Sequence, residues 1–424
     1  MNIQQFLAVH GLLADNIDAD ELISKFIAEM ENGLAGRDSS LAMIPTYISG
    51  NREIPANEPV IVIDAGGTNL RVACISFDAD NRAHIDDYSR YPMPGTETEV
   101  SADEFFDQLA GYLQPVLEKS DRIGFCFSYP AEISPHRDGK LIKWTKEMKA
   151  PGVIGRFVGR GLMDALGPAG IGKKVVLLND TIATLLAGKV AADKARYGSY
   201  VGFILGTGTN IAYLEQNKNI LKAGRLDPAG SQAINVESGS FSKAPRGDID
   251  ELLDSETEDP GSQLFEKMIS GKYLPDIALT VLHKGAGEGL FSAACASWIS
   301  GLKRLSHEQM DDLAKKGGGV MLKPEDASES DRCAIRSVMN AVIERAGKLA
   351  AANIAAAAVK AVGENSDLPV CINIDGSAYY KAAGLRENTE KYIREMYAAR
   401  NIEYVLVHVE RAPMIGAAIA GLVN

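Results

Sequence analysis

Residues 60–77 read VIVIDAGGTNLRVACISF, and the rest of the chain falls into place around them. Val60 to Asp64 is almost wholly apolar and rich in β-branched residues, the composition of a buried strand. Gly66-Gly67 predicts a tight turn, and Leu70 to Phe77 predicts a second, returning strand. The turn carries an acid (Asp64), two glycines and a hydroxyl (Thr68). Glycine lets main-chain N–H groups approach a phosphate with no Cβ in the way. A carboxylate beside such a turn can hold Mg2+, directly or through water. An ordinary hairpin whose glycines serve geometry alone has the same composition, so the reading turns on what else the chain contains.

The pattern returns. Tyr200 to Glu215 reads YVGFILGTGTNIAYLE, again an apolar run, a Gly/Thr turn, Thr-Asn and an outgoing apolar strand. An internal repeat of this kind predicts two domains on one plan, each offering a hairpin toward phosphate. A third glycine turn follows the apolar run Val370 to Ile374, where Asp375-Gly376-Ser377 leads into a helical pattern from Ala382 to Ala399. A strand feeding a glycine turn and a helix N-terminus suits an anion or a nucleotide.

The remaining elements follow from periodicity. Residues 1 to about 50 have helical spacing throughout. Strands are predicted over Ala83–Tyr91, Arg122–Ser128, Lys174–Leu178 and Tyr404–His408. Helices are predicted over Ala102–Leu117, Gly155–Leu166, Thr181–Ala192 and Ile415–Val423.

Composition narrows the function. The chain has 424 residues, net charge −12 and no basic patch, which argues against a nucleic-acid partner. Its five cysteines are scattered, with no CxxC, so neither a zinc site nor a disulfide framework is expected, and a reducing cytoplasm fits. The N-terminus lacks a signal-peptide pattern, and the apolar segment Ala341–Val362 carries Glu344, Arg345, Lys348 and Lys360, so no membrane association is expected. Gly167 to Lys174 comes close to a phosphate-binding P-loop. It has Lys174 where Ser or Thr must hold the metal, and it precedes a strand instead of following one, so it is read as a surface loop. Neither hairpin is GxGxxG, so a dinucleotide site has no support.

One acid stands out. Lys174–Leu178 ends in Asn179-Asp180, and a helix begins at Thr181. An isolated Asp there is most simply an N-cap, worth about 1 kcal/mol. Its functional reading is a general base that takes a proton from a substrate hydroxyl. A helix N-terminus favours the ionised form.

Seven stretches in order now carry a resemblance. They are IDAGGTNLRV; FSYPAEI with GKLIKWTKEMKAPG; VVLLNDTIATLLAG; ILGTGTNIAYLE; INVESGSF; DPGSQLFEKMISGKYLPDI; and NIDGSAYYK. Together they span roughly residues 58 to 390, and the chain resembles the hexokinase family of ATP-dependent sugar kinases. The resemblance implies an α/β fold of two ribonuclease-H-like domains, of the actin-like ATPase class, with the active site in the cleft between them. It implies a small domain from 58–180 with 410–424, and a large domain from 1–57 with 181–409. The implied reaction moves the γ-phosphoryl of ATP to the 6-hydroxyl of a hexose, glucose by default, after domain closure.

By the same resemblance, Ser128, Thr145, Lys146, Asn179, Asp180, Asn210, Asn235, Glu237 and Glu266 surround the sugar. Asn donates and accepts while carboxylates accept, which suits a ring of hydroxyls. Asp180 is the base, and Lys146 faces the transferred phosphoryl. Asp64, Gly66, Gly67, Thr68, Asn69, Gly206, Thr207, Gly208, Asp375, Gly376 and Ser377 hold ATP. Mg2+ is held by Asp64 through water, with Asp180 a second candidate contact. Without the motifs, Glu266 reads as a solvated helix charge and Asn210 as a turn residue.

Two departures stand against the pattern. Ser238 replaces the usual Trp after Glu237, with Ser240 where Ala is common, which leaves the preferred sugar open. Arg411-Ala-Pro413 replaces a glycine-rich loop before the last helix. The chain reads as one kinase unit, a monomer or homodimer. The alternatives are a kinase for fructose, mannose or an amino sugar, and a catalytically weak sugar sensor of the same fold.

Overall fold

The computed structural model describes residues 2–50, 52–144, 148–191, 197–318, 321–363 and 368–424. Two mixed sheets organise the chain, and they share one plan. In the first, Val60–Ala65, Asn69–Phe77 and Ala83–Pro92 form an antiparallel meander, and Arg122–Phe127 and Lys174–Leu178 extend it with parallel strands. In the second, Ser199–Leu205, Thr209–Gln216 and Ser231–Asn235 form the meander, and Val370–Asp375 and Tyr404–Val407 are the parallel strands. A short edge strand, Ile44–Pro45, pairs with Ser231–Asn235. The repeat read from two hairpins therefore extends to five strands in the same order.

The uninterrupted apolar runs have a physical reason. A strand covered on both faces cannot alternate apolar with polar residues. Ile61 and Ile63 pack with Phe105 and Leu162 on one face of the first sheet, while Val60 and Val62 pack with Ala183 and Ala418 on the other.

The helices after each sheet's last strand meet between the sheets. Asp180–Ala187 packs against the second sheet, and Ala412–Val423 packs against the first. The Asp180 helix lies in main-chain contact with both neighbours. A Cβ on Gly416 of the last helix would lie 1.9 Å from the Ala183 carbonyl oxygen, and one on Gly202 of the second sheet would lie 2.4 Å from the Leu185 nitrogen. This close packing carries the N-terminus of the Asp180 helix into the space between the sheets.

Several boundaries differ from the periodicity reading. Residues 1–50 hold two helices, Ile3–Val9 and Ala19–Leu34, and then extended chain with left-handed Met43 and Tyr47. The apolar residues of that stretch face the large core in any conformation, so their spacing is no helix signal there. Ala102–Leu113 and Asp180–Ala187 stop earlier than expected, each followed by a short 3-10 turn. The late helical pattern is two helices, Ser377–Lys381 and Leu385–Ala398, broken at Gly384 with φ +85°. The P-loop look-alike is a 3-10 turn, and Lys173 donates to the carbonyls of Leu117 and Ser120. Among the described residues no helix is long and apolar enough to cross a membrane. The longest, Glu329–Val362, buries Arg345 against Asp250 in a two-pronged ion pair of 2.7 and 2.8 Å.

Candidate active site

The first hairpin presents Asp64 at the end of its incoming strand. Asp64 is 3% exposed and meets the Arg71 guanidinium at 2.5 Å. The two are direct partners across the ladder. Burial pushes the Asp64 pKa up, Arg71 opposes that, and the negative charge of Asp375 adds to it. Asp64 and Asp375 come from different sheets, so their interaction marks where the sheets face one another. Tyr129 donates its hydroxyl to the carbonyls of Gly66 and Gly67 at 3.1 and 3.2 Å, and the Ser128 N–H donates to Ala65. Thr68 is exposed. Asn69 donates to its hydroxyl at 2.9 Å and accepts from Arg90 at 2.9 Å.

Asp180 is the first residue of its helix, and Asn179 is the cap, its side chain accepting the Thr181 N–H at 2.8 Å. The capping role predicted for an acid here thus falls to Asn179. Opposite Asp180, the second meander builds a polar network. Asn210 donates to Asn235 at 2.8 Å and to Glu237 at 3.3 Å, and Asn235 donates to Glu237 at 2.7 Å. The Asn210 amide orientation is set by its oxygen, which accepts the N–H groups of Ile211 and Ser238. Burial raises the Glu237 pKa, and the nearby Asp180 charge raises it further. Glu237 is left-handed, φ +59° and ψ +49°. A non-glycine residue held there costs on the order of 1–3 kcal/mol and is concentrated at functional sites. Asn179, Asn235, Glu237, Ser240 and Gln263 line one cavity of about 260 Å³ with Phe127 and Tyr129.

Glu266 closes the second turn. Its carboxylate accepts the Thr209 N–H at 3.0 Å, and a Cβ on Gly208 would lie 2.5 Å from it. A side chain at Gly208 would therefore push the Glu266 carboxylate off the Thr209 N–H. Behind this turn, the Gly206 carbonyl accepts the Gly271 N–H at 2.8 Å. A Cβ on Gly376, where φ is +120°, would lie 2.3 Å from the Leu205 carbonyl oxygen. The two turns thus form one wall. With Lys272, His307, Asp311, Ser377 and Lys381 they line a cleft of about 460 Å³.

Ser128 thus lies beside the first turn and Glu266 beside the second, while Asn179, Asp180, Asn210, Asn235 and Glu237 meet around one cavity and network. Thr145 and Lys146 lie outside the described residues. The two departures resolve into contacts. Ser238 is buried against Asn353, and the Arg411 guanidinium lies over the Tyr88 ring at 5.2 Å. Sequence reading missed Arg71, Tyr129, Gln263 and Lys272. Arg71 had a signal, because the hairpin register sets it opposite Asp64. Tyr129, Gln263 and Lys272 lie inside the quoted motifs beside Ser128 and Glu266, but nothing in their local pattern set them apart from their neighbours.

The hexokinase family models match residues 6–190 and 200–423. This chain belongs to the hexokinase family. Hexokinase-2 of Candida albicans is 30% identical, over 95% of this chain and 89% of that protein. A glucokinase of Aspergillus niger is 28% identical, over 95% and 92%. A crystal structure of a hexokinase superimposes with a TM-score of 0.81 at 25% identity, covering 98% of both chains. The glucose complex of the Schistosoma mansoni hexokinase gives 0.75 at 24% identity over 99% and 98%, and shows the shared fold. The two sheets are those of the two-domain actin-like ATPase class, and this hexokinase phosphorylates a hexose from ATP.

Proposed function

We propose that Asp180 is the general base of this hexokinase and that glucose, phosphorylated on its 6-hydroxyl, is the preferred substrate. The observation that carries the assignment is the pairing across the cleft. A carboxylate at a helix N-terminus faces Glu237 in the Asn210–Asn235–Glu237 network, which is built on the strand leaving the second glycine turn. In this reading Asn179, Asn210, Asn235, Glu237, Glu266 and Ser128 hold the sugar hydroxyls. A site whose polar groups a wrong sugar leaves unpaired discriminates strongly. The hydroxyl oxygen attacks the γ-phosphorus, its proton passes to the Asp180 carboxylate, and the bond from phosphorus to the β-phosphate bridging oxygen breaks to release ADP.

The two glycine turns, Thr68, Thr207 and the Asp375–Ser377 turn hold the nucleotide, and Lys146 bears on the transferred phosphoryl. Asp64 suits Mg2+ held through water. Its carboxylate is buried and paired with Arg71, and it also feels the charge of Asp375 from the other sheet, so two acids converge where a hydrated dication could sit. The metal would neutralise charge on the β- and γ-phosphates. We divide the chain into 58–180 with 410–424 and 1–57 with 181–409, with closure between them excluding water. All five cysteines are unpaired, which suits the cytoplasm. An assay of ADP release across hexoses, with wild type and Asp180→Ala, tests the reading. Near-normal turnover by the variant would sink the base assignment, and a stronger response to another hexose would replace glucose.

A further inference from the structure

The left-handed backbone of Glu237 needs something to hold it, and the next residue supplies it. Ser238 is fully buried and Asn353 is 1% exposed. The Asn353 side-chain amide donates to the Ser238 hydroxyl at 3.0 Å, while the Ser238 N–H donates to Asn210 at 3.3 Å. One small residue is therefore tied at its side chain to the core of the large domain and at its main chain to the sugar-side network. The Ser240 N–H donates to the Glu237 carbonyl and the Phe241 N–H to the Ser238 carbonyl, closing a short 3-10 turn.

Asn353 is out of place by every local rule. It sits inside a 34-residue helix, in the run Ala350 to Ala358 that is otherwise alanine but for Ile354. Asn is a poorer helix former than Ala, and burying an amide costs free energy unless it is hydrogen-bonded. Helix propensity alone favours alanine at this position.

We infer that the Ser238–Asn353 hydrogen bond sets the position of Glu237 and makes Ser238 and Asn353 positioning residues for the hexose. The inference rests on the proposed role of Glu237 as a hexose acceptor. The long helix is a rigid reference, and the bond carries its position to the strained acid and, through Asn210, to the rest of the network.

The test is steady-state kinetics with glucose and ATP, calorimetric glucose titration and thermal melting. The variants are Ser238→Ala, Asn353→Ala, their double and Glu237→Gln. Each single variant should raise the hexose KM and Kd about tenfold, with kcat within about threefold and the ATP KM unchanged. Each should also lower Tm, because a buried polar partner is left unsatisfied. The double variant leaves no orphan, so its Tm should recover toward wild type while its hexose KM stays raised. A hexose KM that recovers together with Tm in the double variant overturns the inference, since the pair would then be merely structural. So does an unchanged KM in the singles. An unchanged hexose KM in Glu237→Gln removes instead the role assigned to Glu237, a separate failure.

Discussion

Four residues separate the ladder partners Ala65 and Leu70 in the first hairpin, and three separate Leu205 and Thr209 in the second. Both turns are followed by Thr-Asn, yet the asparagines do different things. Asn69 lies before the first ladder pair and bonds Thr68 and Arg90. Asn210 lies inside the ladder opposite Ile204 and bonds Asn235 and Glu237. Side chains alternate along a strand, so a one-residue shift in register redirects a side chain to the other face. The helices after each sheet diverge in the same way. One begins with Asn179 and Asp180, its cap in extended conformation. The other begins with Arg411, left-handed at φ +56°, which turns its guanidinium toward Tyr88. A duplicated plan thus carries two unlike helix starts and two unlike asparagines, the asymmetry on which the proposed base and the proposed sugar-side asparagine rest.

The largest expected effect breaks the symmetry at the helix starts. Asp180→Ala should lower kcat by about 10³-fold while the circular dichroism spectrum and Tm stay near wild type. A fall under tenfold would mean that the two helix starts differ less than their geometry does.

The asparagines come next. Asn210→Ala should raise the hexose KM by about 10- to 100-fold, because Glu237 loses a charge-assisted donor and Asn235 a neutral one. Asn69→Ala should change the ATP KM only a few-fold and leave the hexose KM alone. Equal effects on the sugar would show that the register difference has no functional weight.

The glycines sharpen the contrast further. Gly208→Ala displaces Glu266 and should raise the hexose KM about tenfold. At Gly66 a Cβ meets only the Asn69 carbonyl oxygen, at 3.5 Å, so Gly66→Ala should spare the sugar and alter only the ATP KM.

A pH experiment probes the pairing across the cleft. The Glu237 pKa is raised by burial and by Asp180, and the ionised form accepts hydroxyl protons. Hexose affinity measured by calorimetry should therefore fall, as pH drops, at a point above the ordinary Glu value. In Asp180→Asn that point should move to lower pH, since a neighbouring negative charge is gone. An unmoved break would separate the two acids. The smallest effect belongs to the silent helix start. Arg411→Ala should cost about 0.5–1 kcal/mol in thermal unfolding, the worth of an exposed cation–π contact, with kcat unchanged.

Much of this was legible because it is local. Apolar runs ended by glycine report buried strands and tight turns in any context, and their recurrence at Tyr200 pointed to two sheets on one plan. The ordered motifs singled out Asp180, Glu237 and Asn210 as candidates. Less legible were contacts that need distant segments to meet. Gln263 and Lys272 reach the clefts from loops with no periodic signal, and Asn353 reads as one polar residue in an alanine-rich helix. Residues 35–50 read as helix because apolar spacing alone cannot tell a helix from extended chain laid over a core.

The sequence by itself determined the hexokinase family, the two-sheet plan and most of the residues proposed for the site, since those are carried by residue type and order along short stretches. The tertiary structure alone decided which asparagine joins the Asn235–Glu237 network, that Asn179 is the cap while Asp180 is left to face Glu237, and that Ser238 is tied to Asn353 in the long helix. Those outcomes depend on register and on which helix crosses which sheet, and neither is written in any one segment.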